Sequence, residues 1–183
     1  MSTSTPAAPT VRREPSTRPL VVAGLAVGAV LGFSGNFVTP GPVQDVMYAV
    51  SAVGLIFGAV LLVVEHLTAG RLLPAAGFAM LALGEARLLN PTHAPGGESS
   101  FAAGVMLYAP GLVLIALSPW APRWARVTGA VAAACFAAYS LAYFAGMSVD
   151  SSGPLAGAGY ALLTLTIVGW ILTVTPVRLR KPR

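Results

Sequence analysis

Six long apolar runs, at about 20–38, 46–64, 72–90, 101–118, 124–146 and 155–175, occupy most of this 183-residue chain. Each is close to the roughly 20 residues that an α-helix needs to cross a bilayer. Inside lipid, only elements that satisfy their backbone N–H and C=O groups internally are stable. A spanning β-barrel would need short segments of alternating polarity, and these runs are continuously apolar. The expected fold is therefore all-α: a polytopic membrane protein with six transmembrane helices in a compact bundle over residues 20–175. Composition agrees, since 56% of the residues are hydrophobic and only 9% are charged, against about 25% charged in an ordinary soluble domain.

Residues 1–19, MSTSTPAAPTVRREPSTRP, have almost nothing to bury and are expected to form a disordered cytoplasmic tail. A secretory signal would put its apolar stretch nearer the start and close it with a small-residue cleavage site. Residues 176–183 form a second, basic tail. When run ends are assigned alternately to two sides, Arg12, Arg13, Arg18, Arg71, Arg123, Arg126, Arg178, Arg180, Lys181 and Arg183 share one side, and Arg87 stands alone on the other. The positive-inside rule then predicts that both termini are cytoplasmic. The excess of Arg over Lys, with so much Ala and Gly, suggests a bacterial host, which makes the expected location the inner membrane. Net charge +5 reflects this topology and an attraction to anionic headgroups. No aromatic platform interleaves the basic residues, so nucleic acid is not an expected partner. Cys135 is the single cysteine and sits mid-run, where it reads as a small packing residue rather than part of a disulfide or CxxC motif.

Short linkers, EHLTAGR and SPWAPRW, join the second run to the third and the fourth to the fifth on the inner side. The outer loops, SGNFVTPGPVQD, NPTHAPGGESS and SVDSSGP, are mostly longer and more polar, which gives three outward-facing hairpins. Chemistry is expected on that outer face, because loops held by a rigid scaffold carry function. Each hairpin contains a Tyr-Ala pair, at Tyr48-Ala49, Tyr108-Ala109 and Tyr160-Ala161, with spacings of 60 and 52 residues. That pattern suits three tandem two-helix units, although tyrosine also favours the membrane interface by itself.

Gly24, Gly28 and Gly32 recur every fourth residue and make a groove on one face of the first helix. Such a groove allows close backbone approach, and the expected occupant is another helix of the same chain. Gly54 and Gly58 in the second run, and Ala130, Ala133, Ala134, Ala137 and Ala138 in the fifth, extend the same expectation. Pro110, near the middle of the fourth run, removes a backbone donor and crowds the carbonyl of Met106, which predicts a kink. Pro154 is expected as a first helical residue behind a capping serine, Ser151 or Ser152.

The third run holds the deepest outer-side carboxylate, Glu85, roughly 7 Å below the outer end at 1.5 Å per residue. Charges within a span are costly and usually face the protein interior or a wet cavity, so Glu85 is the first site candidate. Its plain alternative is a carboxyl that is hydrogen-bonded or kept protonated and only fixes helix register. Arg87 lies two positions on, on another face. It is expected either to snorkel to headgroups or to meet Asp45 or Asp150. Asn36, Asp45, Asn90 and Asp150 complete the candidate ligand set around Glu85 and Arg87. Gln44, Ser151 and Ser152 lie at a similar level, and His93 and Glu98 are expected at the surface.

No catalytic residue, metal site or cofactor is expected. His93 and Glu98 match no HExxH pattern, and His66 belongs to the opposite side of the membrane. No GxSxG and no GxxxxGK[ST] motif occurs. Glu65, His66 and Arg71 read as a polar cluster marking the inner interface. The residues carry no motif specific to a known family. The expected role is non-enzymatic: binding of a small ligand or lipid headgroup in an outward-facing polar pocket. The alternatives are an accessory subunit docking another membrane protein or a second copy through the Gly24, Gly28 and Gly32 face, a small secondary transporter, and an intramembrane hydrolase. The last two would rest on Glu85 with Pro110, and on His93 with Glu98, respectively.

Overall fold

The computed structural model describes residues 16–89 and 96–175. The described residues form six helices: α1 (Arg18–Gly35), α2 (Pro42–Thr68), α3 (Leu72–Leu88), α4 (Gly97–Leu117), α5 (Arg123–Phe144) and α6 (Pro154–Val174). The described residues include no strand. Five of the helices are long and apolar enough to cross a membrane, and α3, with 17 residues, is the short one. By that length and composition the chain is a multi-pass membrane protein.

Helix starts and stops follow local chemistry. Proline occupies the first turn of α1, α2 and α6, where its missing N–H removes nothing and its fixed φ suits the helix. Helix α2 reaches four residues further at each end than its apolar run. Pro42 starts it early, and it continues through Glu65 and His66 until Gly70, at φ +70°, stops it. There the Gly70 and Arg71 amides donate to the carbonyls of Leu67 and His66 at 3.0 and 2.8 Å, which is the paired closure of a Schellman motif. Gly146, at φ +79°, ends α5 in the same way, with bonds from Gly146 and Met147 to Tyr143 and Ala142. The α6 start differs from expectation. Gly153 holds the cap position without a side-chain bond, because Ser151 Oγ donates to Glu98 and the Ser152 amide donates to Asp150.

Each helix packs against its neighbours in the chain, and α1 also packs against α6, which closes the round. Contacts along the seams run in opposite directions on paired helices. Gly24 lies against Gly54 and Gly58, Gly28 against Leu55, and Gly32 against Ser51, so α2 of the same chain fills the α1 groove. The α3–α4 seam repeats the device with residues not singled out in the sequence: Gly77 faces Gly111, and Gly84 faces Gly104. Hydroxyls then bridge helices, from Ser51 to the Gly28 carbonyl at 2.7 Å and from Ser140 to the Ala102 carbonyl at 2.9 Å. Thr128 and Thr166 join α5 to α6 at 2.8 Å. With no hydrophobic drive between helices in lipid, close backbone approach and such bonds hold the seams. Among the described basic residues, Arg18, Arg71, Arg123 and Arg126 gather at one end, and Arg87 lies toward the other.

One expectation about packing is corrected. Ala130, Ala134 and Ala138 face outward, and α5 buries Ala125, Gly129, Ala132, Ala133, Phe136, Tyr139 and Ser140 instead. The interior of the round needs volume, which Phe136 and Tyr139 supply and an all-alanine face would not. Pro110 is exposed on the outer side of α4, and that helix continues past it to Leu117.

Candidate functional site

Two aromatic layers fill the interior. Toward the end bearing the 148–153 loop, Phe101, Tyr108, Phe136, Tyr139 and Tyr160 pack with ring centroids 5.1–6.4 Å apart. Toward the basic end, Phe78 stacks on His66 at 5.6 Å and meets Trp120 and Trp170 edge-on at 5.7 and 4.9 Å. Between the layers lies a cavity of about 20 Å³ lined by Leu25, Leu55, Phe78, Glu85, Tyr108 and Trp170, among others. Its size suits one water or one compact ion, since about 10–15 Å³ on this measure holds a water.

Among the described residues, Glu85 is the only acidic side chain on that lining. It is 6% exposed, and Tyr108 is wholly buried. The Tyr108 hydroxyl lies within interaction range of the Glu85 carboxyl and the Tyr160 hydroxyl. It nevertheless completes no well-formed hydrogen bond among the described residues. A buried hydroxyl left in that state costs about 1–3 kcal/mol, and its oxygen lies on the cavity beside one carboxyl, so two oxygen groups that can accept or coordinate face a guest.

The site is deeper than the sequence indicated. Counted along α3, Glu85 is only three residues from the helix end at Leu88. Counted along α4, its neighbour Tyr108 is the twelfth of 21 residues, about 16 Å from the start of that helix. The short α3 ends well inside the round, so a carboxylate expected near an outer loop lies at mid-height.

The other predicted ligands do not converge on Glu85. Arg87 is exposed on a different face of α3. Asn36 caps α1, donating to the Gly32 and Phe33 carbonyls and accepting from the Tyr48 hydroxyl at 3.2 Å. Gln44 donates to the Gly35 carbonyl at 2.9 Å, which ties the α1 end to α2. Asp45 is in the first turn of α2, where a negative charge suits the helix dipole. Asp150 is exposed and accepts the Ser152 amide at 2.8 Å. That bond holds its carboxyl below the usual value of 3.8. Asn90 and His93 lie outside the described residues.

Glu98 and His66 also depart from expectation. Glu98 is half-buried rather than a surface group. It accepts from Tyr139 at 3.1 Å and Ser151 at 2.7 Å, so it ties α4 to α5 and to the α5–α6 loop. His66 is fully buried between Phe78 and Trp120, and neither ring nitrogen has a hydrogen-bond partner among the described residues. Among the described residues no three His, Cys, Asp or Glu side chains gather into a metal-binding group. Tyr108, on the candidate site's lining, and its neighbour Tyr160 are residues that the sequence reading passed over as interface markers. Tyr108 carried a usable signal, because a tyrosine in the middle of an apolar run, two residues before a proline, is far from either interface. Comparison with family models, with curated proteins and with solved structures finds no match.

Proposed function

We propose that the chain is a six-span protein of a bacterial inner membrane, with both termini cytoplasmic, and that it binds a compact cation at Glu85. The observation that carries this reading is the pairing, on one small cavity, of a buried carboxyl with the Tyr108 hydroxyl, which has no well-formed hydrogen bond among the described residues. An ionised group in the middle of a span costs about 2.5 kcal/mol or more, and such groups usually belong to ligand or ion sites. The aromatic rings of Phe78 and Trp170 on the same lining favour a positive guest over an anion. The cavity volume of about 20 Å³ favours an ammonium-sized or smaller guest over a lipid headgroup. No step of bond chemistry is invoked, and the role is non-enzymatic.

A second reading, small secondary transport, gains from the mid-height position, since transporter sites lie near the bilayer midplane. It loses the contribution expected of Pro110, which lies on the outer surface and not on the cavity. Docking of a partner through Gly24, Gly28 and Gly32 would require displacing α2.

Trp170 lines the cavity, so its fluorescence reports occupancy. Wild-type protein in nanodiscs, titrated with ammonium, methylammonium, sodium and potassium, should show a saturable change for at least one of them. That change should vanish in Glu85→Gln and in the signal control Trp170→Phe. In Tyr108→Phe it should weaken by about 1 kcal/mol of binding energy. A response that persists in Glu85→Gln, or no saturable response to any of the four, would sink the proposal. Flux of the same ion in sealed vesicles would separate transport from binding.

A further inference from the structure

A groove of about 430 Å³ runs on the outer side of the α4–α5 seam at the basic end. Its walls are Val113, Leu117, Val127 and Ala130, and its mouth carries Arg123 and Arg126. The two arginines are three residues apart on α5, so they rise from neighbouring positions on one helix surface. Arg126 is held in place, because its Nε donates to the Ala116 carbonyl at 2.6 Å across the seam. Neither arginine has a carboxylate within 4.0 Å among the described residues, where the one ion pair is Arg18 with Glu65. Two like charges placed side by side repel, and an anion between them would turn that repulsion into attraction. Helix α5 also starts here without a side-chain cap, so its first amide groups add positive potential to the same mouth.

The level of the groove fixes the kind of anion. Trp124, next to Arg123 at the start of α5, is exposed, and an exposed tryptophan at the end of a span marks the headgroup level of a bilayer. Below the arginines the groove is apolar, open along its side and bordered by outward residues such as Val113, Leu117 and Val127, which are 43%, 62% and 62% exposed. A free phosphate would satisfy the mouth and leave the walls uncovered. A protein helix would find two unpaired positive charges at the edge of its apolar face. A phospholipid with a negatively charged headgroup matches both parts, its phosphate between the arginines and one acyl chain along Val113, Leu117, Val127 and Ala130.

We infer that the α4–α5 groove is a binding site for one anionic phospholipid on the basic side of the membrane. The test uses full-length protein reconstituted in nanodiscs with equal phosphatidylglycerol and phosphatidylethanolamine. After gentle extraction, retained lipid is counted by native mass spectrometry. Wild type should retain phosphatidylglycerol at least about tenfold over phosphatidylethanolamine, the preference expected from two basic residues near a lipid surface. Arg123→Ala/Arg126→Ala should bring the ratio near one, and Arg123→Lys/Arg126→Lys should keep most of it. Ala130→Trp, which fills the acyl wall and leaves both arginines, should also lose the lipid. Arg87→Ala, at the other end, should change nothing. Inorganic phosphate added in millimolar excess should not strip the lipid. An unchanged ratio in the double alanine variant, a retained lipid in Ala130→Trp, or stripping by phosphate alone would overturn the assignment. If the double alanine variant does not fold, the Ala130→Trp and phosphate arms decide the question.

Discussion

At the scale of single residues, the same side-chain chemistry has opposite meanings at different depths. Glu85 is shut away beside Tyr108 and Tyr160, whereas Asp150 is exposed and accepts the amide of its own turn. The Asp150 carboxyl is held below its usual value by the Ser152 amide. A carboxyl lowered in the folded state contributes stability above its unfolded value and loses it as pH falls through the folded one. Below about pH 3.8, therefore, the 150–153 turn should loosen, with faster hydrogen exchange at the Ser152 amide. Asp150→Asn should remove that pH dependence, and an exchange rate with the same pH dependence in both proteins would contradict the account. The sequence singles out Glu85 by the cost of a charge inside an apolar run, and the structure buries that side chain. Its partners were not legible there, since Tyr108 and Tyr160 lie on other helices, and only the closing of the round brings the α4 and α6 side chains together in its interior. Arg87, Asn36, Asp45 and Asp150 share its end of the chain's folding pattern but not its interior. Loop position fixes a level along the membrane normal and says nothing about direction around a helix.

At the scale of elements, glycine sets the seams. A Cβ at Gly77 would lie 2.5 Å from the Gly111 carbonyl oxygen, whereas one at Gly157 meets nothing within 4 Å. Gly77→Val should lower unfolding stability by about 1–3 kcal/mol through forced separation of α3 and α4. Gly157→Ala should be neutral or slightly stabilising, because alanine suits a helix better than glycine. Unfolding in mixed micelles, followed by helical circular dichroism, measures both, and equal stabilities for the two variants would refute the seam. The α1 glycines were readable from their spacing of four because α1 presents one continuous stripe. The α3–α4 pairs were not, since Gly77 and Gly84, and Gly104 and Gly111, are seven apart and separated by large side chains. Helix ends were legible to within a residue or two at the start of α6, marked by Pro154, and at the end of α5, marked by Gly146. The end of α2 was not, because Glu65, His66 and Thr68 are polar yet remain helical up to Gly70.

At the scale of the whole molecule, one apolar exterior surrounds two aromatic layers with a single carboxyl on the cavity between them. Continuous apolar runs made the all-helical class legible, but the order of helices around the round is a tertiary property that six similar runs do not encode. The basic end should face the cytoplasm. Green fluorescent protein fused after Arg183 should therefore fluoresce, and alkaline phosphatase fused within the 36–41 loop should be active, with the reverse pattern contradicting the topology. The central claim is that the interior holds a guest dependent on Glu85. Native mass spectrometry of gently extracted wild type beside Glu85→Gln tests it most directly, with every retained ion and small molecule recorded. The account predicts one compact cation on wild type that is absent from the variant while both proteins carry the same lipids. Identical spectra from the two proteins would contradict it.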